Sequence, residues 1–175
     1  TGHTGFKGSW LSLWLNLLGA RVIGISNDIP SSPSNFKVSN VKDFIEDKRV
    51  DVCDINAVKK IIYLSQPDFI FHLASQSLVY KSYTNPLDTI STNTFGTVNI
   101  LEAIRDIKKS VVVVMITSDK AYDNIADIGD YKTRLFRETD RLGGADPYSA
   151  SKSAQEIVTR SFSESYFHEK EVAVA

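Results

Sequence analysis

Residues 111–117 form an almost wholly apolar segment that is rich in β-branched side chains. This composition is typical of a strand in a parallel sheet that is buried on both faces. Parallel strands need crossover connections, so such a strand also requires helices in the same chain. The sequence therefore predicts an α/β fold in which helices cover both faces of a parallel sheet.

Strand and helix patterns alternate along the rest of the chain. Other short strands are predicted at 21–25, 49–52, 68–73 and 171–175. Apolar residues at helical spacing predict helices at 6–18, 55–64, 86–107 and 147–169. Polar, turn-forming residues predict loops at 27–40 and 121–145. This order indicates a doubly wound parallel sheet of the Rossmann type.

The first predicted helix carries two tryptophans, Trp10 and Trp14, on its apolar face, and Gly19 follows its end. We expect both indoles to pack between helix and sheet. In the longest predicted helix, the residues expected to face the sheet are Ile90, Asn93, Thr94, Val98 and Leu101.

The bulk composition excludes several classes of function. The chain has 175 residues, a net charge of −1 and one cysteine, Cys53. Balanced charges give no electrostatic reason to expect a nucleic-acid or membrane partner. A single cysteine allows no internal disulfide, which fits a reducing compartment, and we expect a cytoplasmic protein without a metal site. No apolar run approaches the length of a membrane span.

Three glycines with G-x-x-G-x-x-G spacing, Gly2, Gly5 and Gly8, directly precede the first predicted helix. Glycines let a backbone turn sharply and approach a pyrophosphate closely. The helix that follows offers free N–H groups and the positive end of its dipole. This segment, with the adjacent Phe6, is therefore predicted to bind the phosphates of a dinucleotide.

Acidic residues near the ends of the next two strands are candidates for the adenosine end of that dinucleotide. Asp28 has the offset expected of a ribose-binding carboxylate, although it can also start a turn, and Ser26 occupies the strand end itself. No arginine directly follows this strand, which favours NAD over NADP. Asp51, with Val52, is predicted to contact the adenine. A helix cap at Asp54 beside a buried Cys53 thiol is the structural alternative for this segment.

Residues 72–76 follow another predicted strand and should line the same cleft, because ligands bind at the carboxyl ends of parallel strands. Leu73 and Ala74 are the cofactor-binding candidates in this segment.

Tyr148 and Lys152 are four residues apart at the start of the last predicted helix, so they share one helix face. The ammonium favours the phenolate electrostatically and can also hold a nicotinamide ribose. A tyrosine in this setting can remove the proton of a sugar hydroxyl. A tyrosine and a lysine four residues apart also occur by chance. The polar segment upstream therefore adds support to the catalytic interpretation of this pair.

That upstream segment, 117–120, leaves the buried strand at its carboxyl end. Thr117 is predicted to line the cofactor cleft, and Ser118 can hydrogen-bond the hydroxyl that Tyr148 deprotonates. Asp119 and Lys120 add an acid–base pair that simple alcohol oxidation does not need, which favours a further step such as elimination. The alternative is a strand-end turn with solvated charges.

The chain resembles the extended short-chain dehydrogenase/reductase family and, within it, the CDP-glucose 4,6-dehydratases. Four segments carry the resemblance: 1–11 (TGHTGFKGSWL), 72–76 (HLASQ), 117–124 (TSDKAYDN) and 144–152 (GADPYSASK). The related dTDP-glucose dehydratases carry Thr-Asp-Glu where this chain has Ser118, Asp119 and Lys120. The lysine is the most specific resemblance to the CDP-sugar group.

The resemblance implies an NAD-dependent hydro-lyase that converts CDP-glucose to its 4-keto-6-deoxy derivative, with tightly held NAD that is not consumed. Tyr148 takes the proton of the glucose 4-hydroxyl while hydride leaves C4 for NAD. A base at the Lys120 position, which must be neutral, removes the C5 proton, and Asp119 protonates the departing 6-hydroxyl. Hydride then returns to C6. The resemblance also gives Asn93 a place near the cofactor, with helix-to-sheet packing as the alternative.

The start of the chain inside the phosphate loop, with no strand before it, and the strand-like residues 171–175 at its end predict that residues 1–175 form the NAD-binding domain of a longer protein, with an intact short protein as the alternative. We expect the first strand and a C-terminal region that grips the nucleotide to be absent, and homodimerisation through the helices around 86–107 and 147–169. Rival interpretations are another sugar-nucleotide 4,6-dehydratase or epimerase of this fold, or a non-catalytic NAD-binding protein.

Overall fold

Five parallel strands form two sheets in the computed structural model, which describes residues 1–123, 135–167 and 172–175. The strands are β1 (Ile23–Ile25), β2 (Glu46–Lys48), β3 (Phe69–His72), β4 (Val111–Met115) and β5 (Val172–Val174). β1 pairs with β2, and β4 lies between β3 and β5. Each pairing is parallel, as the alternation of strands and helices predicts.

Helices connect these strands. In the described ranges they are α1 (Phe6–Leu17), α2 (Asn35–Val38), α3 (Ile55–Ser65), α4 (Val79–Thr84), α5 (Pro86–Ile90), α6 (Gly96–Ile104) and α7 (Pro147–Phe162). A π-helical turn, Ser91–Phe95, joins α5 to α6, and a second one, Ser163–Phe167, follows α7. Short 3₁₀ turns are formed by Val41–Asp43 and Asp119–Ala121.

The main core lies between α3, α6 and the β3–β4–β5 sheet. Along β4, Val111, Val113 and Met115 are buried while the two valines between them are half-buried. The largest apolar side chains of this cluster with almost no exposure are Val58, Ile100, Leu101, Ile104, Val111 and Val113. Full burial of one such side chain contributes about 1.5–3 kcal/mol, so this cluster anchors the sheet whose strand ends form the site.

Thr1 and Gly2 lie between the two sheets and hydrogen-bond to both. The Thr1 nitrogen donates to the Phe71 carbonyl at 2.6 Å, and the Gly2 N–H donates to the Ile25 carbonyl at 2.8 Å. The Leu73 N–H completes a parallel ladder by donating to the Thr1 carbonyl at 3.2 Å. Next to these residues, a cleft of about 710 Å³ is lined by β1 and β3.

The prediction of a strand at 49–52 is wrong, because the strand in this region is β2, which begins three residues earlier. Its charged residues pair with β1, and the Asp47 carboxylate is stabilised there by His3 and Arg49, at 2.9 and 2.7 Å. Partners from distant segments thus decide where this strand forms. The predicted loop 27–40 also contains α2, which Ser34 caps by accepting from the Lys37 N–H.

The tryptophans of α1 face solvent, contrary to the expectation that they pack on the sheet. Trp10 is 55% exposed and Trp14 is 63% exposed. The buried face of this helix consists instead of the small residues Gly8, Ser9 and Ser12. A Cβ at Gly8 would lie 2.1 Å from the Gly2 carbonyl oxygen, so only small residues allow α1 to approach the glycine loop.

The long predicted helix 86–107 is interrupted by the π-helical turn and ends at Ile104. Because a π-helical turn inserts an extra residue, the buried face shifts along the sequence. Asn93 and Leu101 are buried as predicted, whereas Ile90 is exposed. The last helix ends earlier than predicted, and residues 168 and 169 of that prediction lie outside the described residues. No helix in the described ranges is long and apolar enough to cross a membrane.

Candidate active site

A cleft of about 480 Å³ opens at the carboxyl ends of β1, β3 and β4, beside the start of α1. It brings together most of the residues predicted to bind cofactor or act on substrate: Gly2, Gly5, Phe6, Gly8, Asp51, Val52, Leu73, Ala74, Thr117, Ser118, Tyr148 and Lys152. Asn93, Asp119 and Lys120 are the predicted site residues that do not line it.

The glycine loop is shaped by close backbone contacts. Gly2 has a positive φ of 73°, and a Cβ there would lie 2.7 Å from the Ala74 nitrogen. No described side chain caps the start of α1, where Gly5 occupies the N-cap position. The N–H groups of the first helical turn therefore remain available to an anion, as a pyrophosphate site requires.

The turn after β1 is held by hydroxyl groups. Thr4 Oγ1 lies 2.7 Å from Ser26 Oγ and donates to the Asp28 carbonyl at 2.6 Å. Arg49 reaches the same turn, where its Nη1 donates to the Asp28 carbonyl at 3.3 Å, while Asp47 binds its guanidinium at 2.7 Å. Arg49 was not predicted at this turn, because it follows β2 in the sequence and not β1.

Asp51 lies at the rim of the cleft, where its Oδ1 accepts a hydrogen bond from the Cys53 N–H at 2.8 Å. Asp54 caps α3 as predicted, accepting from two N–H groups of the first turn at 3.1 Å. Cys53 is exposed, so the alternative of a buried thiol is wrong. Val52 is 4% exposed and lines the cleft beside Asp51.

Residues after β3 divide into lining and supporting groups. Leu73, Ala74 and Ser75 line the cleft, whereas His72 is fully buried behind it. Burial lowers the pKa of His72 to about 3, so the imidazole is neutral, and its Nδ1 lies 2.8 Å from the Thr1 hydroxyl. The expectation that His72 itself lines the cleft is wrong.

Asn93 binds the loop after β3 with its whole amide group. Its Oδ1 accepts from the Gln76 N–H at 2.8 Å and from Ser75 Oγ at 2.9 Å. Its Nδ2 donates to the Gln76 carbonyl at 3.1 Å and to Ser151 Oγ at 2.9 Å. Asn93 therefore joins this loop to α7, and any effect on a cofactor passes through the loop.

Tyr148 and Lys152 project from the first turns of α7 into the cleft. Asp146 caps this helix by accepting from the Ser149 N–H at 2.9 Å, and Pro147 follows it. Tyr148 is 8% exposed and Lys152 is 3% exposed, with the Lys152 Nζ 5.9 Å from the centre of the Tyr148 ring. The cap and the helical spacing thus bring a phenol and an ammonium to one wall.

Burial lowers the pKa of Lys152 to about 8, and the nearby Glu156 carboxylate opposes this shift. The ammonium also donates to Gln155 Oε1 at 2.7 Å, and Gln155 Nε2 donates to Thr97 Oγ1 at 2.7 Å. Thr97 Oγ1 in turn donates to the Asn93 carbonyl at 2.8 Å. Gln155 was not among the predicted site residues. It lies three residues after Lys152, and residues at this spacing are neighbours on a helix surface.

The segment after β4 contributes both lining and rim residues. Ser118 lines the cleft, and its Oγ donates to Asp119 Oδ1 at 3.1 Å. Asp119 and Lys120 lie on the 3₁₀ turn with Oδ2 and Nζ 3.6 Å apart, and their side chains are 66% and 48% exposed. The burial that a neutral Lys120 would require is therefore not provided by the described residues. Asn124, part of the motif in this segment, lies outside them.

The arrangement combines an anion-binding helix start, a tyrosine beside a buried lysine, a cleft-facing serine and an acid–base pair at the rim. A phenol next to an ammonium can accept a proton from an alcohol, and a serine can orient that alcohol. A carboxylic acid and an amine near the same substrate can transfer two further protons. The cleft therefore carries groups that can bind and deprotonate an alcohol, and Asp119 and Lys120 lie next to it on the 3₁₀ turn.

Comparison with known proteins agrees with this geometry. Residues 1–170 match the family model described as GDP-mannose 4,6 dehydratase. The CDP-glucose 4,6-dehydratase of Salmonella typhimurium is 44% identical over 168 residues, which are 96% of this chain and 45% of that protein. The dTDP-glucose 4,6-dehydratase 1 of Escherichia coli is 33% identical over 131 residues, which are 68% of this chain and 36% of that protein.

Among solved structures, the UDP-glucose 4-epimerase of Thermus thermophilus, in complex with NAD, is similar with a TM-score of 0.79. The two chains are 27% identical, and the match covers 95% of this chain and 50% of that chain. The chain thus spans half the length, or less, of the relatives described. The match confirms the Rossmann-type fold.

Proposed function

We propose that this chain, which belongs to the GDP-mannose 4,6-dehydratase family, forms the NAD-binding domain of a 4,6-dehydratase that acts on CDP-glucose. The same comparisons confirm the resemblance to the extended short-chain dehydrogenases/reductases. The observation that carries the proposal is that Asp119 and Lys120 directly follow Ser118, which lines the cleft together with Tyr148 and Lys152. Alcohol oxidation alone does not need this acid–base pair.

The cleft carries candidate binding groups for each part of NAD. The glycine loop and the start of α1 would bind the pyrophosphate, because a Cβ at Gly2 or Gly8 would collide with backbone atoms there. Asp28 and Asp51, which line the cleft, would hold the adenosine ribose and the adenine, and Lys152 would hold the nicotinamide ribose. The chemistry that NAD supplies when bound is storage of one hydride, taken from sugar C4 and given back at C6.

The first proton transfer would take place at Tyr148. Its phenolate accepts the proton of the glucose 4-hydroxyl, which Ser118 orients through a hydrogen bond. The Lys152 ammonium stabilises the phenolate because it is buried beside the ring, where an electrostatic interaction is less screened than in water. The resulting 4-ketone acidifies the proton on C5.

The elimination step would use the rim pair. Asp119, in its acid form, protonates the departing 6-hydroxyl, and a base at Lys120 removes the C5 proton. The ammonium of Lys120 must lose its proton before it can act, and its side chain is 48% exposed with Nζ 3.6 Å from Asp119 Oδ2. Closure of substrate over the rim would supply the missing burial.

We also propose that a strand of the same polypeptide, preceding Thr1, completes the sheet. Thr1 and Gly2 already hydrogen-bond to β3 and β1, as residues at the end of an intervening strand would. The cleft between β1 and β3 begins at Thr1 and would hold this strand. A C-terminal region beyond residue 175 would grip the nucleotide.

A homodimer through the helices around 86–104 and α7 is part of the proposal. Large apolar side chains on these helices are exposed, including Leu87, Phe95 and Ile157. Exposed groups of this kind often mark protein interfaces.

An epimerase is the second candidate, supported by the likeness to the NAD-bound UDP-glucose 4-epimerase. The oxidation half of the proposed reaction uses Tyr148 and Lys152 in either case. Asp119 and Lys120 separate the two candidates, because epimerisation requires no loss of water.

The test is mass spectrometry of the full-length protein incubated with NAD and, separately, with CDP-, dTDP-, UDP- and GDP-linked glucose. Loss of one water from CDP-glucose alone supports the full proposal. Loss of water from another nucleotide sugar retains the reaction and overturns the substrate. No mass change with any of them overturns the dehydratase proposal and leaves epimerisation or a non-catalytic role.

A further inference from the structure

We propose that Gln155 is a positioning residue that holds the Lys152 ammonium at the wall of the cleft through a neutral acceptor. The inference rests on the proposed role of Lys152 in that cleft. It concerns a residue that the catalytic motif does not include, and it derives from a chain of buried hydrogen bonds between α7 and α6.

Each member of this chain is buried. Gln155 and Thr97 are 0% exposed, and Lys152 is 3% exposed. The Lys152 Nζ donates to Gln155 Oε1 at 2.7 Å, and Gln155 Nε2 donates to Thr97 Oγ1 at the same distance. A buried glutamine costs free energy unless its amide is satisfied, so two short hydrogen bonds fix its orientation. With Oε1 toward Lys152 and Nε2 toward Thr97, the amide cannot turn without losing both.

The charge of the acceptor matters as well, because Gln155 Oε1 belongs to a neutral amide. An amide oxygen stabilises the ammonium by one hydrogen bond but leaves its positive charge uncompensated. A carboxylate at this position would form a buried ion pair and weaken the positive field at Tyr148. Gln155 thus fixes the position of Lys152 and preserves the charge that stabilises a phenolate.

The charged and titratable groups around Lys152 are few in the described part of the chain. Glu156 and Tyr148 lie on its own helix, and the neutral His72 faces it from β3. Asp119 and Lys120 lie on the 3₁₀ turn packed against α7 and are exposed. The segment 91–104 presents the uncharged Asn93 and Thr97. Glu156 remains in every variant below, so substitutions at Gln155 change one partner only.

The experiment follows the titration of Lys152 by ¹³C NMR of lysine-labelled full-length protein, with the resonance assigned by its loss in Lys152→Met. In Gln155→Glu, the pKa of Lys152 rises by about one pH unit or more, because an opposite charge lies at hydrogen-bond distance. In Gln155→Met, which keeps the volume and removes the acceptor, the pKa of Lys152 falls. Ser161→Glu adds the same charge on an exposed position of α7 and leaves the pKa of Lys152 unchanged.

A second pair of variants keeps the test decisive if substitutions at Gln155 prevent folding. Thr97→Val removes the hydroxyl that orients the Gln155 amide and lowers the pKa of Lys152, whereas Thr97→Ser retains the hydroxyl and the wild-type value. The inference would be overturned if the pKa of Lys152 were the same in wild type, Gln155→Glu and Gln155→Met. It would also be overturned if the two variants shifted this pKa in the same direction. Failure of the proposed function is distinguishable, because this titration needs no substrate.

Discussion

The Thr117 hydroxyl at the end of β4 donates a hydrogen bond to the Glu156 carboxylate on α7. Thr117 directly precedes the Ser118, Asp119 and Lys120 segment, and Glu156 follows Lys152 by one helical turn. One side-chain contact therefore joins the strand that carries the rim pair to the helix that carries Tyr148. Together with the hydrogen bond from Ser153 Oγ to the Ala121 carbonyl at 2.7 Å, this contact fixes the relative position of the two halves of the site.

Glu156→Ala is expected to destabilise the protein by about 1–3 kcal/mol, because it leaves the Thr117 hydroxyl without its acceptor. Thr117→Val removes the donor, and the double variant should cost less than the sum of the two, with a coupling of roughly 0.5–3 kcal/mol. Urea unfolding of the four proteins measures this coupling. Additive costs would show that the contact does not link β4 to α7.

The sequence predicted the parts of the site that depend on local pattern. The glycine spacing, the Tyr148 and Lys152 pair and the buried strand at 111–117 each follow from a few adjacent residues, and the structure brings them to one cleft. The contacts of Gln155 with Thr97, of Glu156 with Thr117 and of Arg49 with the Asp28 carbonyl could not be predicted, because these partners come from distant segments.

The same reason explains the errors in the fold. β2 is a charged strand whose register is decided by its pairing with β1 and by His3, which no pattern within 46–48 indicates. The exposed Trp10 and Trp14 follow the 3.6-residue period as well as buried residues would. Periodicity identifies a face, but contact with the glycine loop decides that α1 buries its small residues instead.

Gly2→Ala is expected to abolish NAD binding and to destabilise the protein by more than about 1–3 kcal/mol, because positive φ is combined with a backbone collision at 2.7 Å. Gly19→Ala is the matched control: its φ is +85°, but a Cβ there meets nothing within 4 Å. The Gly19→Ala variant should be destabilised only by the cost of a positive φ for alanine, and it should still bind NAD. Isothermal titration with NAD and thermal unfolding provide the two measurements, and equal effects would refute the role of close approach at Gly2.

Lys120→Met is expected to leave the oxidation of C4 intact and to slow water loss by roughly 10²–10⁴-fold, because it removes the proposed C5 base. The measurements are absorbance of accumulated NADH and exchange of the C5 proton in deuterated water. Lys108→Met, an exposed lysine that precedes β4 at the opposite end of the sheet, is the control. Full elimination activity in Lys120→Met would show that another group removes the proton.

The stability of the protein should rise with pH between about 8 and 10.5 through Lys152. Its pKa is about 8 in the folded state because of burial, against 10.5 as the ordinary value. In this window the unfolded chain binds more protons than the folded one, so the free energy of unfolding increases with pH, by at most about 3 kcal/mol. Urea unfolding of wild type and Lys152→Met at several pH values isolates this contribution. A difference that is independent of pH would contradict the buried position of the ammonium.

The strand proposed to precede Thr1 is expected to stabilise the domain when it is added to the chain. The Thr1 nitrogen donates to the Phe71 carbonyl at 2.6 Å, and Phe69 on the facing edge of β3 is 61% exposed. A strand between β1 and β3 would replace this amine by a peptide bond and bury apolar side chains worth about 1.5–3 kcal/mol each. Hydrogen exchange should then show new protection on the facing edges of β1 and β3. A Gly-Ser extension of equal length is the control, and equal stabilisation by both extensions would disprove a strand in the cleft.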